Sequence, residues 1–216
     1  MKSVLIIGMG RFGKHLADKM QTLGNEVMIV DDDEKTIQDL SNQFEDSYIG
    51  DCTNESVVKS LCVDEFDICF VCIGEDFQSS LLVTSLLKKH GATHVVSKSN
   101  QSIQEELLLK IGADEVVYPE RDIAEKLAIR YNSKNIFDFV PLTSEFSIYE
   151  IPIISSWVGN SVSNINVRKK YKVNIIAIKN KNELSTLPGA SYIFKEGDHI
   201  VVIGKSNDVF KLSAQT

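Results

Sequence analysis

In the first half of the chain, apolar residues come in short unbroken runs separated by stretches with helical spacing. Val4-Leu5-Ile6-Ile7 is the first run, and Leu16, Met20 and Leu23 then recur at helical intervals. Glu26 to Val30 predicts a second strand, followed by a short helix around Ile37 and Leu40. Tyr48-Ile49-Gly50 forms a third strand before a helix carrying Val57, Val58 and Leu61, with Thr53 or Asn54 as its cap. Asp67 to Ile73 is apolar throughout and ends at Gly74, the pattern of a central parallel strand. A long amphipathic helix is predicted from about Phe77 to His90, and a fifth strand over Val95-Val96-Ser97, ending at Lys98. A helix from Ile103 to Ile111 and a sixth strand from Glu115 to Tyr118 follow. Strand and helix alternating six times predict an α/β fold with a doubly wound, Rossmann-like parallel sheet.

The pattern then changes. Pro119 opens another helix with Ile123, Leu127 and Tyr131 on one stripe, and the polar run Asn132-Ser133-Lys134-Asn135 ends it. The domain boundary is expected there, giving domains 1–134 and 135–216. Beyond it, Glu145 to Ile153 alternates, with Phe146, Ile148 and Ile151 set against Glu145, Tyr149 and Glu150. A short helix over Ile165 to Tyr171, a strand over Val173 to Lys179 and a turn at Pro188-Gly189 follow. The turn Glu196-Gly197-Asp198 leads into a last strand, His199 to Ile203. These elements make a second, smaller α+β domain.

The chemistry begins at Gly8-Met9-Gly10-Arg11-Phe12-Gly13, set between the first strand and the first helix. In that context Gly8 allows a tight turn, Gly10 admits a pyrophosphate and Gly13 brings helix close to strand. The helix N-terminus supplies free N–H groups and a positive dipole end to the phosphates. Asp31 stands about 20 residues further on, where an acid meets a ribose hydroxyl pair. Its neighbours Asp32 and Asp33 would repel a 2′-phosphate and otherwise read as a solvated acidic turn. Asp51 and Cys52, Gly74 and Lys98 all fall at the carboxyl edge of the sheet, where ligands bind in open α/β sheets. Glu120 lies in the first turn of the helix opened by Pro119, where an acid also suits the dipole.

Composition narrows the function classes. The chain has 216 residues and a net charge of −7. Residues 135–216 hold 9 Lys and Arg against 7 Asp and Glu, and residues 1–134 hold 14 against 23. No basic face for nucleic acid emerges; the cluster Arg168-Lys169-Lys170 with Lys172 reads as a solvated helix end or a seat for one small anion. No apolar run approaches the roughly 20 residues of a membrane span, and the N-terminus is too short for a signal peptide. Direct membrane insertion is therefore not expected, and cytoplasmic residence is. Cys69 and Cys72 spell CxxC, but residues three apart on a strand face opposite ways, so the cysteines read as small core residues. His15, His90, His94 and His199 stand in no catalytic motif.

Taken together, these stretches resemble the cytoplasmic regulatory subunits of bacterial Ktr and Trk potassium transporters, built from domains that regulate the conductance of potassium (RCK). The likeness covers nearly the whole length. Besides the glycine turn and Val30-Asp31, it is carried by Gly50-Asp51-Cys52-Thr53, Lys110-Ile111-Gly112-Ala113-Asp114 and Tyr118-Pro119-Glu120-Arg121-Asp122. In the second domain it rests on Asn166 to Tyr171, Ile175 to Lys179 and Phe194-Lys195-Glu196-Gly197-Asp198. The resemblance implies a ligand switch responding to ATP/ADP or NAD(H), with no catalytic residues. It implies that Arg11 meets a terminal phosphate, Asp31 the ribose and Asp51 the base. Glu120 would help hold Mg or another cation at the phosphates across a dimer interface. It also implies dimers assembled into a ring, an octamer in some relatives, acting on a membrane-embedded potassium transporter subunit. In some relatives cyclic di-AMP binds between two second domains, at positions corresponding to Ile165, Arg168, Asn174, Ile175 and Pro188. The alternative reading is an NAD-dependent oxidoreductase or NAD(H) redox sensor.

Overall fold

The computed structural model describes residues 1–132, 135–143, 145–181 and 183–216. Two compact units divide between Arg121 and Asp122. The boundary expected over 132–135 includes Ser133 and Lys134, which lie outside the described residues.

In the first unit the apolar runs become β1 (Ser3–Ile7), β2 (Glu26–Asp31), β3 (Asp46–Ile49), β4 (Ile68–Val71), β5 (Val95–Lys98) and β6 (Glu115–Val117). They pair in parallel in the order β3-β2-β1-β4-β5-β6. The connecting helices are α1 (Arg11–Thr22), α2 (Glu34–Leu40), α3 (Glu55–Ser60), α4 (Phe77–Lys89) and α5 (Ser102–Lys110); α6 (Pro119–Asn132) follows β6, and the division between the units falls within it, so that its residues from Asp122 on belong to the second unit. β1 runs apolar end to end because both of its faces are covered. Leu5 and Ile7 enter one buried cluster with Val71 and Val83, while Val4 and Ile6 enter another with Ala17 and Ile29. Each such fully buried side chain contributes about 1.5–3 kcal/mol relative to exposure. Strand order reverses between β1 and β4, which opens a crevice at their carboxyl ends.

Two first-unit readings need correction. Leu23 was expected on the apolar stripe of the first helix; it is the C-cap of α1 and is 65% exposed, because the helix ends before its side chain can turn inward. Cys62 is exposed, held in left-handed backbone between α3 and a short 3-10 turn, whereas Cys52, Cys69 and Cys72 are buried. The strand expected to run to Ile73 ends at Val71, so Cys72 lies one residue past it; Cys69 and Cys72 nevertheless enter different core clusters. On α6, Ile123, Leu127 and Tyr131 are all exposed.

The second unit holds an antiparallel sheet of β7 (Asp138–Pro141), β8 (Phe146–Pro152), β9 (Asn174–Asn180), β10 (Glu183–Thr186) and β11 (Asp198–Lys205), ordered β10-β9-β11-β8-β7. Helices α7 (Val162–Ile165), α8 (Val167–Tyr171) and α9 (Ser206–Ser213) complete it. The face assignment of β8 was wrong: Tyr149 is buried alongside Ser147 and Ile151, and Phe146 is exposed. A period of two puts residues 147, 149 and 151 on one side, and the Tyr149 hydroxyl is accommodated by donating to Ser206 Oγ at 2.8 Å. The helix expected over Ile165 to Tyr171 is two short helices broken at Asn166, which adopts left-handed backbone. Asp198, at the start of β11, is buried and accepts from Asn180 Nδ2, Tyr192 OH and the Lys195 N–H. Those three bonds lock the turn that precedes the strand, and burial with Asp198 alongside pushes the Tyr192 hydroxyl pKa up.

Candidate functional site

The glycine turn builds the floor of the crevice. Gly8 has φ +94°, and a Cβ there would stand 3.1 Å from the backbone of Cys72 and Ile73, so the turn needs glycine. Gly13 packs its bare backbone on Gly8; a Cβ would lie 2.0 Å from the Gly8 carbonyl oxygen. Gly10 is the opposite case: its Cβ would meet nothing within 4 Å. It caps α1 without any side-chain hydrogen bond, and α1 carries no acid in its first turn. Neighbouring α2, α3 and α4 are capped by Asp33, Asn54 and Asp76. The N–H groups opening α1 are thus left to whatever occupies the crevice.

The crevice is a cavity of about 810 Å³. Of the residues singled out from sequence, Gly8, Gly10, Arg11, Phe12, Asp31, Asp51, Cys52, Gly74, Lys98 and Glu120 line it together. Met9 and Gly13 do not. The Met9 side chain is buried among Val4, Ile29 and Ile37, and Gly13 is a packing contact. Met9 contributes through its backbone, donating its N–H to Asp31 Oδ2 at 2.6 Å. The other Asp31 oxygen accepts from Asp33 N–H at 2.9 Å, so the carboxylate is fixed at the end of β2 with lone pairs to spare. Asp51 is oriented the same way by the N–H and hydroxyl of Thr53.

On the far side of the strand reversal the charges change. Lys98 Nζ donates to Glu120 Oε1 at 2.7 Å and lies 5.8 Å from the Phe12 ring centre. The Lys98 ammonium beside Glu120, helped by Arg11 at longer range, holds the Glu120 carboxyl below the ordinary glutamate range. Thr53, Asp76, Ser79, Asn100 and Tyr118 also line the cavity and were not picked out from sequence. The available signal was position: Asp76, Asn100 and Tyr118 follow the carboxyl ends of β4, β5 and β6. Arg11 and Lys98 are the cations among the lining residues, facing the carboxylates of Asp31, Asp32, Asp51, Glu75, Asp76 and Glu120.

Cys52 belongs to the wall, and burial together with the carboxylates of Asp51, Asp32 and Asp31 pushes its thiol up to about 12. Burial does the same for Cys69 and Cys72, also about 12. Below that pH these thiols stay protonated and unreactive. A chromogenic disulfide reagent at pH 8 is therefore expected to titrate one rapid thiol, Cys62, in folded protein and all four after denaturation. Rapid reaction of two or more in folded protein would contradict this packing.

The second-unit positions are partly gathered. Arg168 Nε donates to Asn174 Oδ1 at 2.6 Å, with both residues exposed. Ile165 and Ile175 pack against the second-unit core, and Pro188 is half-buried. Among the described residues no group of three or more His, Cys, Asp or Glu side chains is arranged to hold a metal ion, and no helix is long and apolar enough to cross a membrane.

The TrkA-N domain family matches residues 4–119 and the TrkA-C domain family residues 146–215. The chain is 38% identical over 208 residues to Ktr system potassium uptake protein C of Bacillus subtilis (strain 168), covering 96% of this chain and 94% of that protein. It is 31% identical over 208 residues to Ktr system potassium uptake protein A of the same organism, with the same two coverages. The solved structure of the GsuK channel bound to NAD shares the fold at a TM-score of 0.70 and 19% identity, over 99% of this chain and 38% of that one. With a TrkA-N domain followed by a TrkA-C domain and such relatives along its whole length, the chain belongs to the RCK family of Ktr/Trk potassium-uptake regulatory subunits.

Proposed function

We propose that this chain is a nucleotide-gated regulatory subunit of a potassium uptake system, and that its crevice binds an adenine nucleotide or NAD(H). The observation that carries this reading is the uncapped N-terminus of α1, opening beside Arg11 and Lys98 in a cavity whose other end holds Asp31 and Asp51. The residues suit the ligand. The space over Gly10 admits phosphates, the Arg11 guanidinium offers a planar donor fork to a terminal phosphate, and Asp31 retains acceptor capacity for ribose hydroxyls. Asp51, with Cys52 and Thr53, would face the base. Glu120 offers one carboxylate for Mg or another cation, and the remaining ligands would come from phosphate oxygens or a second subunit. Such a cation would offset charge between the phosphates and the acidic wall.

A binding switch fits better than a dehydrogenase. His90 is engaged by Glu55 and His199 by Glu150, and no histidine is among the described residues lining the cavity. The named relatives are potassium uptake proteins, which supports a membrane-embedded potassium transporter subunit as the regulated partner. This chain would form dimers, or a ring of them, on the inner face of the membrane. Switching requires two nucleotides to bind two conformations unequally. In the second unit, Arg168 with Asn174, flanked by Ile165, Ile175 and Pro188, is the proposed contact for cyclic di-AMP.

The test is potassium flux through the transporter subunit reconstituted in vesicles with this protein and ATP, ADP or NADH. Two of the nucleotides are expected to differ in flux by about fivefold or more. Cyclic di-AMP is expected to change flux in wild type and not in Arg168→Ala. Flux indifferent to every nucleotide would overturn the gating role.

A further inference from the structure

The helices α1 and α4 open onto the crevice from opposite faces of the first-unit sheet. Ala17 of α1 shares a core cluster with Val4 and Ile6, while Val83, Leu86 and Leu87 of α4 share the other with Leu5 and Ile7. β1 and β4 are the pair at which strand order reverses, so both N-termini reach one cavity. Gly10 and Arg11 line it at the start of α1, and Asp76 and Ser79 at the start of α4.

The two openings are finished differently. Gly10 leaves the N–H groups of α1 without a side-chain acceptor. At α4 the cap residue Asp76 supplies one. Its Oδ1 accepts from the N–H groups of Gln78 and Ser79 at 3.0 and 3.2 Å, and its Oδ2 accepts from the Ser79 hydroxyl at 2.6 Å. Those bonds, that of the Ser79 hydroxyl foremost, hold the Asp76 carboxyl below the ordinary aspartate range, so it is charged at neutral pH. A carboxylate held in this way does what a phosphate oxygen would do there: it takes the free donors and cancels the positive end of the helix dipole.

The consequence falls on the length of the phosphate chain. A diphosphate is served by the N–H groups of α1 and by Arg11. A third phosphate adds negative charge, and on the β4 side of the reversal it meets a fixed anion in place of helix donors, with Glu75 also in the lining. Of the two lining cations, Lys98 is already engaged by Glu120.

Building on the nucleotide reading above, we propose that Asp76 is a specificity residue that disfavours a third phosphate, by closing the N-terminus of α4 with a carboxylate of the chain itself. It acts through its charge. ADP and NAD(H), with two phosphates each, avoid the repulsion that ATP meets.

Asp76→Asn separates charge from capping, because asparagine caps helices about as well as aspartate. The variant is expected to melt within about 4 °C of wild type. Calorimetry on the full chain with ATP and with ADP, without added divalent cation, reads the selectivity. Asp76→Asn is expected to raise the affinity for ATP about fivefold or more relative to ADP, the effect of one unit charge at close range in water. In about 1 M salt, where charges are screened beyond about 3 Å, the difference between the two proteins is expected to shrink; a purely structural cap would show no such dependence. An ATP-to-ADP affinity ratio unchanged or lowered in Asp76→Asn, or a change indifferent to salt, would overturn the selection role alone. Absence of binding by both nucleotides in wild type would overturn the nucleotide reading as well.

Discussion

Gly13→Ala is expected to destabilise the first unit by about 3 kcal/mol, at the upper end of what overpacking a tight interior contact costs. The added methyl would lie 2.0 Å from the Gly8 carbonyl oxygen and 3.4 Å from Cys72 Cβ. The first of these contacts is backbone and has no rotamer through which to escape. α1 would have to back away from the sheet, and Ala17, fully buried one turn on, would be drawn out with it. Thermal unfolding followed by circular dichroism should show the first-unit transition lowered by roughly 6–12 °C. A shift within about 2 °C would mean that the close approach of α1 to β1 is not what fixes the crevice floor.

The first unit was legible in sequence because its physics repeats locally. Parallel strands covered on both faces leave unbroken apolar runs, and each run ended at a residue such as Gly8, Asp31, Gly74 or Lys98 that the fold brings to one edge. Asn54, one of two residues named as the cap of the third helix, does cap α3. The second unit was harder. Every residue of β10 is exposed, so it carries no hydrophobic signature, and β7 buries Phe139 alone. α9 begins after Lys205, which makes no side-chain cap bond. The alternation of β8 sets Tyr149 with the polar positions; a hydroxyl partner 57 residues away, Ser206, lets it turn inward, and no local pattern announces that.

The site divides along the same line. Residues within the glycine turn could be read from spacing, Gly13 among them as the close contact of helix with strand, while Met9 takes part through its backbone N–H and buries its side chain. The ion pair of Lys98 with Glu120, 22 residues apart, and the bond from Asn100 Nδ2 to the Gly74 carbonyl come from how strand ends meet across the crevice. Polar loop residues of that kind look like ordinary turn formers until the topology sets them beside a cavity. Cys62 shows the reverse error, since an apolar-looking neighbourhood in sequence did not predict its exposure.

Gly10→Ala is expected to leave the fold intact and remove nucleotide binding. Gly10 has φ −65° and ψ −174°, extended backbone that alanine adopts without strain. Its Cβ would meet nothing within 4 Å, so stability should change by no more than about 1 kcal/mol. That same open space is where phosphates would approach the N–H groups of α1. A methyl group there separates them from their donors and fills the volume they need, and affinity should fall roughly thirtyfold or more. Set beside Gly13→Ala, this gives two glycines three residues apart with opposite signatures, one in stability and one in binding.

Calorimetric titration of ATP, ADP and NADH into wild type and Gly10→Ala, with thermal unfolding of both proteins, tests most directly whether the crevice is a nucleotide site. Saturable binding of at least one nucleotide to wild type, lost in a Gly10→Ala protein that melts within about 4 °C of it, is the predicted result. Binding to neither protein, or equal binding to both, would contradict it.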